Sequence, residues 1–294
     1  MTNRNSEDVV FETIASCALA IAALVVTALL YQLINMVVPL FESTVVPRLQ
    51  AQGAAKTLVA LLAHADDESA AAPILARYAR EGVQVYLVVA TDGAEGGTHT
   101  TIPRGPELAR ARAEEARCAA DALGAQPPIL LGFPDGKLGD YIGDRSLLYR
   151  LTDRIAGELQ RLRPDAVLTW GPDGGTGHPD HRLVSNIATQ LARAGAPAVP
   201  DRLFYMNLPA EGMRAMNPQR GAPPLLIPEA KYFTVRVSFT ERDFDAAQRA
   251  MICHRTQFTE EQVKRLGPFA AQAWNGEIRL IPAFSMEPST DVFR

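Results

Sequence analysis

Residues 57–82 read TLVALLAHADDESAAAPILARYAREG, and the two halves of that stretch carry different patterns. Thr57 to Ala63 is a short, continuous apolar run, the signature of a strand covered on both faces. Asp67 to Glu81 has helical composition and is closed by Gly82, a residue suited to ending a helix. The pair makes a strand-then-helix unit, and between its halves lies a polar cluster, His64-Ala65-Asp66-Asp67-Glu68.

The same unit recurs downstream. Val83 to Ala90 reads as a strand followed by a helix over Pro106 to Leu123. Pro128 to Leu131 precedes a helix over Asp144 to Leu162, and Asp165 to Trp170 precedes one over Pro179 to Ala194, closed by Gly195. Alternation of this kind predicts an α/β fold with a mainly parallel sheet and helices on both faces. In such sheets ligands bind beyond the carboxyl ends of the strands. After about residue 200 the regularity loosens. Arg202 to Leu208 and Tyr232 to Phe239 read as further strands, and Thr240 can cap a helix to about His254. The proline-rich stretch Pro209 to Pro228 reads as a long loop of the kind that shapes pockets.

No charged residue lies between Glu12 and Glu42, and the apolar run beginning at Ile14 is long enough to cross a bilayer. A cleaved signal peptide fits less well, because the head of the chain has one arginine, Arg4, against three acids. The organisation expected is a tail over 1–12, a transmembrane helix over 13–41, a linker over 42–56 and a catalytic domain over 57–294. That implies a single-pass membrane location, with the domain on the cytoplasmic side. A formal charge of −4, from 29 basic and 33 acidic residues, offers no basic field for a phosphate backbone, so nucleic acid is not an expected partner. Cys17, Cys118 and Cys253 are widely separated and read as buried thiols.

The chemistry concentrates at two places. His64 to Glu68 follows the first strand, and Gly177-His178-Pro179-Asp180-His181 follows the fourth. Parallel strands bring both clusters to one sheet edge, where imidazoles and carboxylates suit zinc. Acids near helix starts are also common for structural reasons, as is proline in a first helical turn. The pairing argues against that reading alone, because three of the five histidines sit at equivalent strand ends beside acids.

AHADDE at 63–68 and GHPDH at 177–181 resemble the PIG-L or LmbE-like family of zinc-dependent de-N-acetylases. The likeness continues through TDGAEGG at 91–97, Arg112 with Glu115, LGFPDG at 131–136, and His254 with Gln257. It implies a Rossmann-like domain that removes the acetyl group from an N-acetylglucosamine-type sugar conjugate, and a glycolipid would suit a tethered enzyme. By position, His64, Asp67 and His181 would bind Zn2+, and Asp66 would be the general base. His178 would stabilise the oxyanion, with Asp180 supporting its imidazolium, and Arg112 and Asp135 would contact sugar hydroxyls. Ala65 departs from the family's usual proline, which implies tuning of the site. An amidase acting on another sugar-linked amide and a non-catalytic carbohydrate-binding protein are the alternatives.

Overall fold

The computed structural model describes residues 55–207 and 228–294. Among these, no helix is long and apolar enough to cross a membrane. The expected single-pass membrane location is corrected on that finding; the segment 13–41 that carried it lies outside the described residues. The expected loop 209–228 also lies outside them, except for Pro228.

The strands are β1 Thr57–Leu62, β2 Gln84–Thr91, β3 Ile129–Phe133, β4 Ala166–Trp170, β5 Leu203–Met206, β6 Val235–Ser238 and β7 Glu277–Pro282. The helices are α1 Ala72–Arg80, α2 Pro106–Leu123, α3 Arg145–Leu162, α4 Pro179–Arg193, α5 Glu241–Cys253 and α6 Glu260–Trp274. One sheet forms in the order β3-β2-β1-β4-β5-β7-β6. The first five strands of that order are mutually parallel, with Leu58 opposite Val85 on one side and Ala166 on the other. The chain builds outward from β1 in one direction and from β4 in the other. The β1/β4 boundary is therefore the switch point at which such sheets open a crevice.

β1 shows why its apolar run is continuous. Leu58, Ala60 and Leu62 pack into a layer with α1, α2 and α5, while Val59, Leu61 and Ala63 pack into the opposite layer with α3 and α4. With both faces covered, alternation disappears from the sequence. Each fully buried Leu or Val contributes on the order of 1.5–3 kcal/mol relative to exposure.

Two elements at the C-terminal end go beyond the sequence reading. α6 starts with a capping box in which Thr259 Oγ1 accepts from the Gln262 amide and Gln262 Oε1 accepts from the Thr259 amide. β7 then inserts antiparallel between β5 and β6. The reading of all cysteines as thiols is also corrected. Cys118 on α2 and Cys253 at the end of α5 form a disulfide, with Cα atoms 5.6 Å apart. Two residues separated by 135 positions give no local signal of such a bond, and Cys17 lies outside the described residues.

Candidate active site

The backbone turns sharply after β1. Asp66 has φ 105°, and Asp67–Ala70 form a 3-10 turn before α1 begins. The first acids therefore do not sit at an α-helix start. Asp67 Oδ2 accepts from the amides of Ala63 and His64, at 2.9 and 2.8 Å. Those bonds turn its other oxygen, Oδ1, toward His181 Nε2, 3.1 Å away. After β4, Gly174 to Gly177 carry the chain back so that α4 opens at His178 and Pro179.

His64 and His181 meet with Nδ1 and Nε2 3.0 Å apart. The remote nitrogen of each ring is backed by acceptors. His64 Nε2 lies 3.2 Å from Asp180 Oδ2 and 3.3 Å from Asp135 Oδ1, and His181 Nδ1 lies 2.9 Å from the Gly174 carbonyl. Placing ring protons on those remote nitrogens leaves two lone pairs and a carboxylate oxygen facing one another, an arrangement that repels itself unless a cation lies between. Donors about 2.0–2.1 Å from a tetrahedral zinc stand roughly 3.3 Å apart, close to the 3.0 and 3.1 Å of two of the pairs, while Asp67 comes no nearer to His64 Nδ1 than 3.9 Å, through Oδ2. Burial opposes charge on His64, but Asp135, Asp180 and Asp67 outweigh it and hold the imidazole well above its ordinary value. Burial likewise opposes ionisation of Asp67, and His181 and His64 outweigh it, keeping the carboxyl well below the usual range.

By proximity among the described residues, a metal ion could be held by His64, His178 and His181, or by His64, Asp135 and Asp180. Asp67 Oδ1, 3.1 Å from His181 Nε2, is a further candidate donor. His178 Nδ1 already accepts from the Asp180 amide at 3.2 Å. Asp180 is engaged by the amides of Gly136 and Leu138, at 2.8 and 3.0 Å. Asp135 Oδ2 accepts from the amides of Glu95 and Gly96, at 3.0 and 2.9 Å. These acids orient His64, the outer partners that metal-binding histidines usually have.

The Asp180 carboxylate bonds His64 and its backbone amide bonds His178, while its charge also favours the His178 imidazolium. That bond leaves Nε2 of a neutral His178 as the donor. Burial, and then His64 and His181, lower the His178 pKa. Burial raises the Asp66 pKa to about 6 despite Arg112.

Arg112 and Asp135 do not present themselves as open sugar contacts, being 3% and 5% exposed. Arg112 donates to the Ala65 carbonyl at 2.6 Å and to the Gly96 carbonyl at 3.3 Å, and its ends lie 3.5 Å from Asp66 and 3.6 Å from Asp135. Gly96 has no room for more, because a Cβ there would stand 2.2 Å from Arg112 Nη1. Nor does Arg112 pair with Glu115, which accepts from Thr256. Trp170 is buried and stacks on His181, with ring centroids 4.9 Å apart. His99, without a foreseen partner, lies 3.0 Å from the Gln262 amide nitrogen. Glu68 and His254 form a buried pair that sequence reasoning missed; 186 positions separate them and no local pattern links them.

A family model described as PIG-L, GlcNAc-PI de-N-acetylase, matches residues 59–192. A 1D-myo-inositol 2-acetamido-2-deoxy-alpha-D-glucopyranoside deacetylase of Nocardiopsis dassonvillei is 30% identical over 235 residues, covering 68% of this chain and 83% of that protein. This chain belongs to the PIG-L family. A Streptomyces avermitilis deacetylase of the same description is 35% identical over 159 residues, 48% of this chain, and the matched stretch spans about half of that relative's length, 54%. Among solved structures, the N,N'-diacetylchitobiose deacetylase of Pyrococcus horikoshii superposes with a TM-score of 0.55 at 20% identity, over 80% of this chain and 87% of that one. That likeness speaks to fold. PIG-L proteins are de-N-acetylases, hydrolases of carbon–nitrogen bonds.

Proposed function

We propose that this PIG-L protein is a zinc-dependent hydrolase that removes the acetyl group from an N-acetylglucosamine-type conjugate, with residues 57–294 as its catalytic domain. The observation that carries the reading is the placement of His181 Nε2 within 3.0 Å of His64 Nδ1 and 3.1 Å of Asp67 Oδ1, the two imidazoles each backed by an acceptor. Those three residues would hold the ion. Bound there, zinc would lower the pKa of a water to about 7 and polarise the amide carbonyl.

Asp66 takes the proton from the attacking water. Its raised pKa, about 6, suits a base that works near neutrality and later returns the proton. His178 donates from Nε2 to the oxygen that gains charge as the carbonyl becomes tetrahedral. Arg112 steadies the turn that carries Asp66 by gripping the Ala65 carbonyl, and Asp135 joins the Gly-rich loop to His64. Contact of both residues with sugar hydroxyls belongs to this proposal, through the few per cent of their surface that is exposed. The substrate class is supported by the relatives, which are deacetylases of an inositol-linked 2-acetamido-glucoside.

The test is acetate release by the full chain, with and without zinc. The panel comprises an N-acetylglucosaminide of inositol, N,N'-diacetylchitobiose and an N-acetylglucosaminyl phosphoinositide as the glycolipid. Zinc-dependent release that Asp66→Asn abolishes supports the reading, and the preferred conjugate names the substrate. A zinc-loaded protein that releases acetate from none of them refutes deacetylation, and a protein that binds no zinc refutes the mechanism.

A further inference from the structure

Two buried titratable side chains take no part in the chemistry above. Glu68 is 2% exposed and His254 0%, and His254 Nε2 lies 2.5 Å from Glu68 Oε1. Burying such a pair costs desolvation that a well-packed apolar pair would avoid, so stability alone is a poor reason for it. The second oxygen of Glu68 suggests another reason: Oε2 accepts a 3.0 Å hydrogen bond from the backbone amide of Asp66.

Asp66 needs that support. Its φ of 105° is unusual for a residue with a Cβ and persists only where the surroundings hold it. The Asp66 carboxylate has only a long contact with Arg112, at 3.5 Å. Its direction is therefore set mainly by its backbone, and that backbone is gripped by Glu68 at the amide and by the Ser69 amide at the carbonyl, 3.0 Å away. His254 is itself fixed. The preceding residue, Cys253, is bonded to α2 through Cys118. Two residues later Thr256 donates to both oxygens of Glu115, at 2.8 and 2.7 Å, and its carbonyl accepts from the amides of Thr98 and His99. The segment 253–256 thus ties α2 and the Gly-rich loop to the turn that carries Asp66.

We propose that Glu68 and His254 are positioning residues: His254 orients the Glu68 carboxylate, and Glu68 holds the Asp66 amide, so that the Asp66 carboxylate is aimed at the water it deprotonates. The proposal rests on Asp66 acting as the base of the proposed reaction. It assigns no proton transfer to either residue.

The experiment compares the full zinc-loaded chain with Glu68→Gln, Glu68→Leu and the double variant Glu68→Leu/His254→Phe, which replaces both polar side chains and serves if the single apolar variant fails to fold. For each, kcat and KM on an N-acetylglucosaminide of inositol, zinc content and hydrogen exchange at the Asp66 amide are measured. The apolar variants are expected to lower kcat by about 10–100-fold, the usual scale for removing such support, with KM and zinc content unchanged and protection of the Asp66 amide lost. Glu68→Gln keeps an oxygen for that amide and recovers most of kcat. An unchanged kcat in an apolar variant, a kcat loss that tracks zinc loss, or persistent Asp66 protection overturns the proposal. A zinc-loaded wild type that releases no acetate overturns the functional reading instead; the exchange data then still decide whether Glu68 holds Asp66.

Discussion

His64 is the residue on which the candidate centre turns, because each ring nitrogen has a different task. Nδ1 faces His181, and Nε2 is held between Asp135 and Asp180, at 3.3 and 3.2 Å. Removing one acid leaves the ligand atoms in place but loosens the tautomer and tilt of the ring. Asp180→Asn is therefore expected to weaken zinc affinity by about 10–100-fold, read by competition with a chromophoric chelator; unchanged affinity would show that Asp180 merely caps the loop at Gly136 and Leu138. Residue types were legible here from the sequence, since two His–Asp clusters at strand ends point to a metal. Partnerships were not. Asp180 stands two positions from His178 yet spends its carboxylate on His64, because α4 turns that side chain toward the loop after β3.

At the scale of elements, α5 is anchored by one carboxylate. Asp243, 1% exposed, accepts from Arg80 Nε on α1 at 2.8 Å and from the amide and hydroxyl of Thr240 at 2.9 and 2.7 Å. Burial opposes its ionisation, but Arg80 and Thr240 outweigh burial and hold its pKa at about 2. A carboxyl depressed in the folded state adds stability that is present above its unfolded value, about 4, and lost as pH falls through the folded value. Asp243→Asn should lower stability by about 1.5–3 kcal/mol near neutrality. The gap in Tm between variant and wild type should close between pH about 4 and about 2; a gap independent of pH would deny the ionic contribution. The Gly-rich loop gives a second test at this scale. A Cβ on Gly96 would stand 2.2 Å from Arg112 Nη1, a group held among buried acceptors. Gly96→Ala is expected to displace Arg112 and reduce kcat by up to about 10²-fold through the Asp66 turn, as misplacement by about 1 Å can, while far-UV dichroism stays unchanged.

For the molecule as a whole, the Cys118–Cys253 bond joins α2 to the end of α5 across 135 positions. Closing so long a loop restrains the unfolded chain, and reduction is expected to cost about 2–4 kcal/mol, seen as a lower midpoint in urea with dithiothreitol than without. A Cys118→Ser/Cys253→Ser variant should match the reduced protein and stop responding to the reductant. Equal midpoints in all four samples would mean that the bond adds nothing to packing already supplied by α1, α2 and α5.

The sequence by itself determined the four strand-and-helix units, because period and punctuation act over a few residues: an apolar run such as 57–63, a proline that opens a helix at 106 or 179, a glycine that closes one at 124 or 195. It also determined which residue types meet at one sheet edge, since parallel strands place every strand-to-helix turn on the same side. The capping box of α6 was present at Thr259 and Gln262 but fell beyond the regular alternation, and the insertion of β7 between β5 and β6 has no local cause. Only the tertiary structure decided which acid backs which histidine, that two cysteines bond, and that Glu68 reaches both His254 and the Asp66 amide. Those contacts join residues up to 186 positions apart, and their strength depends on burial and direction, which a linear pattern does not encode.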